Sequence, residues 1–395
     1  MENYKEKREI RINTYLAGFL LSIHLSFTGY INSSFLSNFL SYETVGLVFS
    51  AAALLGILGL YIIPFLLKNI DLVETIAALT FCTIIVILLM INSNQTYLLI
   101  GFFVLYYVIT LLIVYLIDLY LEKNSDDNIT GQIRSFFILI THLAMIFSVL
   151  IVGSILKDSN NYQIIYIFSL LPLLPLIYLS GNKLKKISSI VSQEMSWKKI
   201  YNNFKNSTKG SREDNIKNIL IIDYIINLFY AFMIIYLPIY LNQYLNMPWS
   251  SIGLIFAFML LPFIIFPYPL GFLADRRLGE KEIMTGALII TSLSTILIST
   301  LTLPSIWLWT IVLFINRIGS CSVETMKESY LFKQVSAADI GIISISRNTR
   351  PLAAITGPLM ATGLLLFLPF PFLFTLLGLI VLLGIYPAII LKDTR

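Results

Sequence analysis

Of the 27 Lys and Arg residues in this chain, 25 fall on one side of a threading through twelve apolar segments. Lys5, Lys7, Arg8 and Arg11 precede the first segment, and Lys68 follows the second. Lys123 and Arg134 lie between the fourth and fifth. Nine basic residues from Lys183 to Lys217 sit in one long polar stretch. Arg276, Arg277 and Lys281 follow the eighth segment, Lys327, Lys333, Arg347 and Arg350 flank the gap after the tenth, and Lys392 and Arg395 close the chain. The other side receives only Lys157, and Arg317 is left inside a segment. Cytoplasmic loops hold Lys and Arg, so the pattern predicts a polytopic membrane protein with both termini inside.

The segments run at roughly 12–35, 43–66, 72–91, 97–120, 135–156, 163–180, 217–241, 250–270, 282–302, 306–329, 341–366 and 371–391, each near the ~20 residues needed to cross about 30 Å of hydrocarbon. Charged residues make up 12% of the chain, half of what a soluble domain carries, about 25%. The expected fold is all-α integral membrane, in the cell membrane, and the lipid bilayer is a partner. The net charge of +5 marks topology and does not suggest nucleic acid. Cys82 and Cys321 are both expected inside spans, so no disulfide framework or metal spacing arises, and no cofactor is implied. The first span lacks a clear cleavage site and is expected to be an uncleaved helix.

Outer connections are expected to be short: Ser41–Tyr42, Asn92–Gln95, Lys157–Asn161, Asn242–Pro248, Leu303–Ser305 and Leu368–Pro371. The inner stretch 182–216 is long and basic, and separates an N-terminal six-helix bundle, 1–181, from a C-terminal one, 217–395. Its Met195–Phe204 segment places Trp197, Ile200, Tyr201 and Phe204 at helical spacing. It is either an amphipathic surface helix or a solvated tether. The halves repeat: Val45-Gly46-Leu47-Val48-Phe49 matches Ile252-Gly253-Leu254-Ile255-Phe256 at an offset of 207. Asp118-x-x-x-Glu122 resembles Glu324-x-x-x-Glu328, and each pair is followed by a Gly and an Arg, Gly131 and Arg134 or Gly341 and Arg347. Weak symmetry between membrane halves is a signature of secondary transporters, with the substrate near the midplane.

Gly271-Phe272-Leu273-Ala274-Asp275-Arg276-Arg277-Leu278-Gly279-Glu280-Lys281 lies between the eighth and ninth spans. Gly271 is expected to let two helices approach closely and Gly279 to permit a tight turn. Asp275 puts a carboxylate at the membrane edge, where a helix N-terminus or an Arg favours it. This run resembles the G-x-L-a-D-r-x-G-r-[RK] loop of the major facilitator superfamily, with one extra residue before the second Gly. Together with twelve spans and a 6+6 repeat, the resemblance covers the whole chain. It implies a monomeric secondary active transporter that moves a small-molecule substrate by alternating access. The Asp275 loop, with Gly271, Arg276 and Gly279, would latch the inner face against the start of span five near Arg134. The corresponding loop of the first half departs from the pattern, with Lys68 in place of the acid. Gly357-Pro358 falls in span eleven rather than span five, which sets the chain apart from drug–proton antiporters of the superfamily.

Among the intramembrane polar residues, Arg317 is the costliest, on the order of 3 kcal/mol or more. Glu324 lies seven residues on, roughly 10 Å along the helix and too far for a direct pair. Arg317 either binds an anionic or hydroxyl-rich substrate, with Asn316 and Ser320 adding polar groups, or is structural. Asp118 and Glu324 are candidates for gating, with Arg134 and Arg347 nearby, or for proton coupling. His24 and His142 are candidate substrate or proton-relay residues; the alternative is that each simply bonds a hydroxyl or carbonyl. Asp223 and Asn227, one turn apart, are candidates for proton coupling and substrate contact respectively, with a salt bridge to the basic stretch as the alternative for Asp223. The same fold could serve a lipid translocator or a non-transporting sensor. A membrane enzyme is disfavoured, since no cluster of acids, His or Cys is visible.

Overall fold

The computed structural model describes residues 2–124, 130–182, 184, 211–334 and 340–392, and they contain no strand. In hydrocarbon every backbone N–H and C=O must be satisfied within the segment, so long apolar runs become helices. Eleven helices are long and apolar enough to cross a membrane. Spans 1 to 6 are Arg8–Leu36, Tyr42–Leu66, Leu72–Ile91, Thr96–Lys123, Ile133–Leu156 and Tyr162–Asn182. Spans 7 to 10 are Asp214–Tyr244, Trp249–Leu278, Glu280–Ile298 and Ile306–Gln334, and span 12 is Phe372–Ile390. The helix Ile340–Leu365 takes the place of span 11. Its 26 residues reach about 39 Å, but Ser346, Arg347, Asn348, Thr349 and Arg350 make its first part polar. Large apolar side chains such as Phe65, Phe147, Tyr268 and Phe367 stand exposed, as lipid-facing positions should. The Met195–Phe204 segment and most of the central basic stretch lie outside the described residues.

The chain forms two compact units. Unit 1 is Met1–Ser41, Ala51–Ser192 and Pro248–Ala257; unit 2 is Tyr42–Ser50, Gln193–Met247 and Phe258–Arg395. The first turns of spans 2 and 8 thus each belong to the unit built mainly from the opposite half of the sequence. Inside unit 2, Ser50 donates to the Ile355 carbonyl at 2.8 Å and Thr362 donates to that of Glu43 at 2.8 Å. Inside unit 1, Trp249 donates to the Tyr162 hydroxyl at 3.2 Å.

Several local expectations are corrected. A Cβ at Gly271 would meet nothing within 4 Å, so this glycine mediates no close helix approach. Gly279 has φ 87° and ψ 159°, a conformation open essentially to glycine alone, and it turns the chain from span 8 into span 9. The extra residue in that loop is taken up by a π turn, Ala274–Leu278, whose wider ring accommodates one more residue than an α turn. A second π turn, Tyr240–Tyr244, follows Pro238, so span 7 continues past residue 241. Span 9 ends at Ile298, short of residue 302. Pro262 and Pro267 each begin a short helical piece of span 8, because proline suits a helix start and breaks a helix interior.

Candidate functional site

Two polar stripes in unit 2 build a charged interior. On span 7, Asp223, Asn227 and Tyr230 recur at intervals of four and three; on span 10, Arg317, Ser320, Glu324 and Lys327 recur at three, four and three. Such spacing puts each set on one helix face. Direct bonds join the faces: Tyr230 Oη donates to Glu324 Oε2 at 2.9 Å and reaches the Ser320 carbonyl at 3.1 Å. From Lys327 to Arg317 the column extends about 15 Å along span 10.

One end of the column is saturated. Asp223, 3% exposed, forms an ion pair with Lys327 through Oδ1. Asn227 also donates to Oδ1, at 2.8 Å. Ser346 and Thr349 of span 11 donate to Oδ2 at 2.7 and 2.9 Å. A buried carboxylate needs this degree of compensation. Lys327, grouped by sequence with the basic residues flanking the gap after span 10, is instead buried as the counter-ion of Asp223. The described ionic partner of Asp223 is thus Lys327 of span 10, while most of the central basic stretch lies outside the described residues.

The other end is unsaturated. Arg317 is 5% exposed. Its guanidinium carbon lies 5.5 Å from the Phe229 ring centre and 5.4 Å from that of Tyr230, within range of a cation–π contact. Its buried Nε has no acceptor among the described residues, and no carboxylate of those residues pairs with the guanidinium. Phe263 of span 8 tilts against Tyr230 with ring centres 6.2 Å apart. Ser320 contributes its carbonyl to Tyr230, and its buried hydroxyl turns to the Arg317 carbonyl at 3.4 Å. Asn316 sits on the neighbouring face, donating to Ser294 and Thr295 of span 9 at 3.0 and 2.9 Å.

The loop between spans 8 and 9 is anchored within unit 2. Asp275 accepts from Lys333 at 2.9 Å, and Lys333 also pairs with Glu280. Glu280 is 1% exposed and takes a further bond from Ser329 at 2.9 Å. The described partner of Asp275 is thus Lys333 of span 10, where span 5 near Arg134 was expected. Arg276 lies over Phe272, 4.3 Å from its ring centre. Arg347 is exposed near the start of span 11. In unit 1, Arg134 reaches Asp118 at 3.7 Å, both about half exposed.

Unit 1 holds a different interior. His24 is fully buried, with Nδ1 2.8 Å from the Ser169 carbonyl and Nε2 3.4 Å from Tyr106 Oη. Tyr106 in turn lies 2.7 Å from the Thr28 hydroxyl, and Tyr166 donates to Asn32 at 2.6 Å. These bonds link spans 1, 4 and 6. His142, partly exposed, has Nδ1 2.9 Å from the Ile138 carbonyl one turn back in its own helix.

Sequence reasoning did not place Tyr230, Phe229, Phe263, Lys327, Ser346 or Thr349 of unit 2 in the site. Tyr230 lies seven residues beyond Asp223, on the same face, which was a usable signal. Lys327 stands three residues beyond Glu324 in the same way.

The sequence model of the major facilitator superfamily matches residues 219–395. No curated protein matches the chain. Among solved structures, the nucleoside transporter NupG superposes with TM-score 0.76 at 12% identity, covering 98% of this chain and 100% of that one. A structure described for substrate recognition in proton dependent oligopeptide transporters gives 0.71 at 12%, covering 98% of each chain. The human organic anion transporter MFSD10 gives 0.66 at 12%, covering 97% of this chain and 99% of that one. At such identities the likeness establishes the fold, and the relatives are transporters and not enzymes. Residues 219–395 thus match the sequence model of the major facilitator superfamily, and the chain over its length shares the fold of these solved transporters.

Proposed function

We propose that this protein is a secondary active transporter that moves a small solute across the cytoplasmic membrane by alternating access, as a monomer with both termini on the cytoplasmic side. The observation that carries the reading is Arg317. It lies inside an apolar span, is buried, sits within cation–π range of two aromatic rings and has no hydrogen-bond acceptor for its Nε among the described residues. A purely structural arginine at this depth would be expected to hold a carboxylate or several carbonyls. A solute bearing an anionic or hydroxyl acceptor supplies what the protein does not. Asn316 and Asn227 contribute by holding spans 9, 10 and 11 around that arginine, and Ser320 by holding Tyr230.

The Asp275–Lys333–Glu280 cluster would fix the loop between spans 8 and 9 as a gate element, with Gly279 setting its turn. Asp118 with Arg134, and Glu324 and Arg347 in the second half, are the matching gate residues of this reading. Coupling to protons belongs to the same proposal, with His24, His142 and Asp223 as carriers. At Asp223 a proton would have to displace Lys327, Ser346 or Thr349.

The test is flux into liposomes with and without a pH gradient, guided by a thermal-shift screen of sugars, amino acids, nucleosides, organic acids and drugs. A ligand at 100 times its dissociation constant adds about 2.7 kcal/mol of stability. Stabilisation by one class, lost in Arg317→Ala, is the expected result. Silence across the screen together with zero flux would overturn the reading and favour a lipid translocator or a sensor on the same fold.

A further inference from the structure

We infer that the Arg317–Tyr230–Glu324 site takes a zwitterion, an amino-acid-like or short peptide-like solute whose carboxylate meets Arg317 and whose ammonium meets Glu324. This deepens the transporter reading and rests on it.

Two opposite charges share one face of span 10, and neither has an ion-pair partner among the described residues. Arg317 and Glu324 lie on one face of span 10 two turns apart, and the described residues form no ion pair between them. Each has a half-made environment. The guanidinium carbon lies 5.5 and 5.4 Å from the Phe229 and Tyr230 ring centres, and a guanidinium presents its donors as a planar fork suited to a carboxylate. On Glu324, Oε2 is held by the Tyr230 hydroxyl, while Oε1 has no described partner. Tyr230 therefore does two things at once: its ring covers the cation and its hydroxyl aims the anion.

Other charges nearby are spoken for. Lys327, three residues from Glu324, is committed to Asp223, and every acceptor oxygen of Asp223 is already engaged. A ligand that is only an anion would satisfy Arg317 and leave Glu324 facing it without a cation. A ligand that is only a cation would do the reverse. A zwitterion in the right order neutralises both, and an unpaired charge in a low-dielectric site is what makes a partial match costly.

Seven residues of helix separate the two backbone positions by about 10.5 Å along the axis, and both side chains can lean into that interval, so one compact ligand can meet both charges. That suits an amine and a carboxylate a few bonds apart. Phe229 and Phe263 supply apolar walls for the remainder of the solute.

The experiment uses the full-length protein, in detergent for thermal shift and in liposomes for counterflow, with a matched panel. Phenylalanine and alanylalanine are the zwitterions. 3-Phenylpropionate and N-acetylalanylalanine lack the amine; phenethylamine and alanylalanine amide lack the carboxylate. We expect at least one zwitterion to bind and exchange, and its two truncated forms to be weaker by roughly tenfold or more, as in a site built to hydrogen-bond the missing group. In Glu324→Gln, which keeps an acceptor for Tyr230, the preference for zwitterion over amine-free acid should collapse while the acid binds as before. Tyr230→Phe keeps the ring over Arg317 and should weaken the same preference less. Arg317→Gln should lose every ligand with a carboxylate.

The proposal is overturned if amine-free acids bind wild type as well as the zwitterions do, if Glu324→Gln keeps the full preference at an unchanged melting temperature, or if no amino acid or dipeptide responds. Arg317-dependent transport of a different solute class, such as sugars, would sink the zwitterion and leave the transporter standing. Zero flux of every solute class would sink the transporter reading itself.

Discussion

The two units bury polar groups in different ways. Unit 1 joins His24, Thr28, Asn32, Tyr106, Tyr166 and Ser169, none of them an acid, a lysine or an arginine. Unit 2 buries Asp223, Lys327, Glu280 and Arg317. The unsatisfied atoms differ in the same sense. Unit 1 leaves the Ser33 hydroxyl without a described partner, and unit 2 leaves Arg317 Nε and the Asn316 side-chain oxygen. An unmade bond to a hydroxyl costs about 1–3 kcal/mol, whereas an uncompensated charge costs several. Similar helical frames thus carry unequal electrostatic loads, and the unit with the larger load has reason to meet a charged solute.

The largest effect should come from splitting the pair that neutralises unit 2. Asp223→Asn leaves Lys327 buried beside a neutral amide, and loss of one partner of a buried pair costs about 3–5 kcal/mol. The double variant Asp223→Asn/Lys327→Met removes both charges and should recover most of that stability, because a buried pair is often replaceable by apolar groups at little cost. Denaturant unfolding in detergent would measure both. Equal losses in the single and double variants would mean that the residues matter for shape and hydrogen bonding, and that charge is not what separates the units.

Much of this contrast was legible in the sequence, for identifiable reasons. Span positions came from run length and from the Lys and Arg distribution, both local signals that the membrane enforces strongly. Arg317 stood out because an arginine in the middle of an apolar run has few excuses. Lys327 did not, because a lysine near an inner helix end looks like any snorkelling loop residue, and only the fold turns it toward Asp223. Tyr230 and Phe229 were hidden among 22 Tyr and 27 Phe, and periodicity alone does not tell a lipid-facing aromatic from one lining a site. Gly271 misled in the opposite direction. Its place in a recognisable loop suggested close packing, whereas the turn requirement falls on Gly279 alone.

A middle-sized effect tests the unit 1 side of the comparison. Tyr106→Phe keeps the buried ring and removes the hydroxyl that lies near both Thr28 and His24. Thr28 retains a bond to the His24 carbonyl at 3.2 Å, so it is not orphaned. The expected loss is about 1 kcal/mol, the usual net worth of one hydrogen bond, read by the same unfolding assay. A loss as large as that of Asp223→Asn would show that the uncharged network is as critical as the charged one, and the contrast between the units would fail.

The smallest effect should separate charge from burial. Arg134 and Asp118 form the one ion pair of unit 1 among the described residues. At 3.7 Å, with side chains 47% and 45% exposed, water screens the attraction, and such pairs contribute about 0–1 kcal/mol. Arg134→Ala should therefore leave the unfolding midpoint nearly unchanged, and raising salt should change wild type and variant alike. Lys333 in unit 2 is the instructive counterpart. It also touches an exposed acid, Asp275 at 64%, but its second partner Glu280 is only 1% exposed. Lys333→Ala takes the Lys333 cation from a carboxylate that has left water, while Arg134→Ala returns one to water. If the two alanine variants lost the same stability, the depth of the carboxylate would not govern these pairs. The division between a lightly loaded unit 1 and a heavily loaded unit 2 would then have to be redrawn on charge count alone.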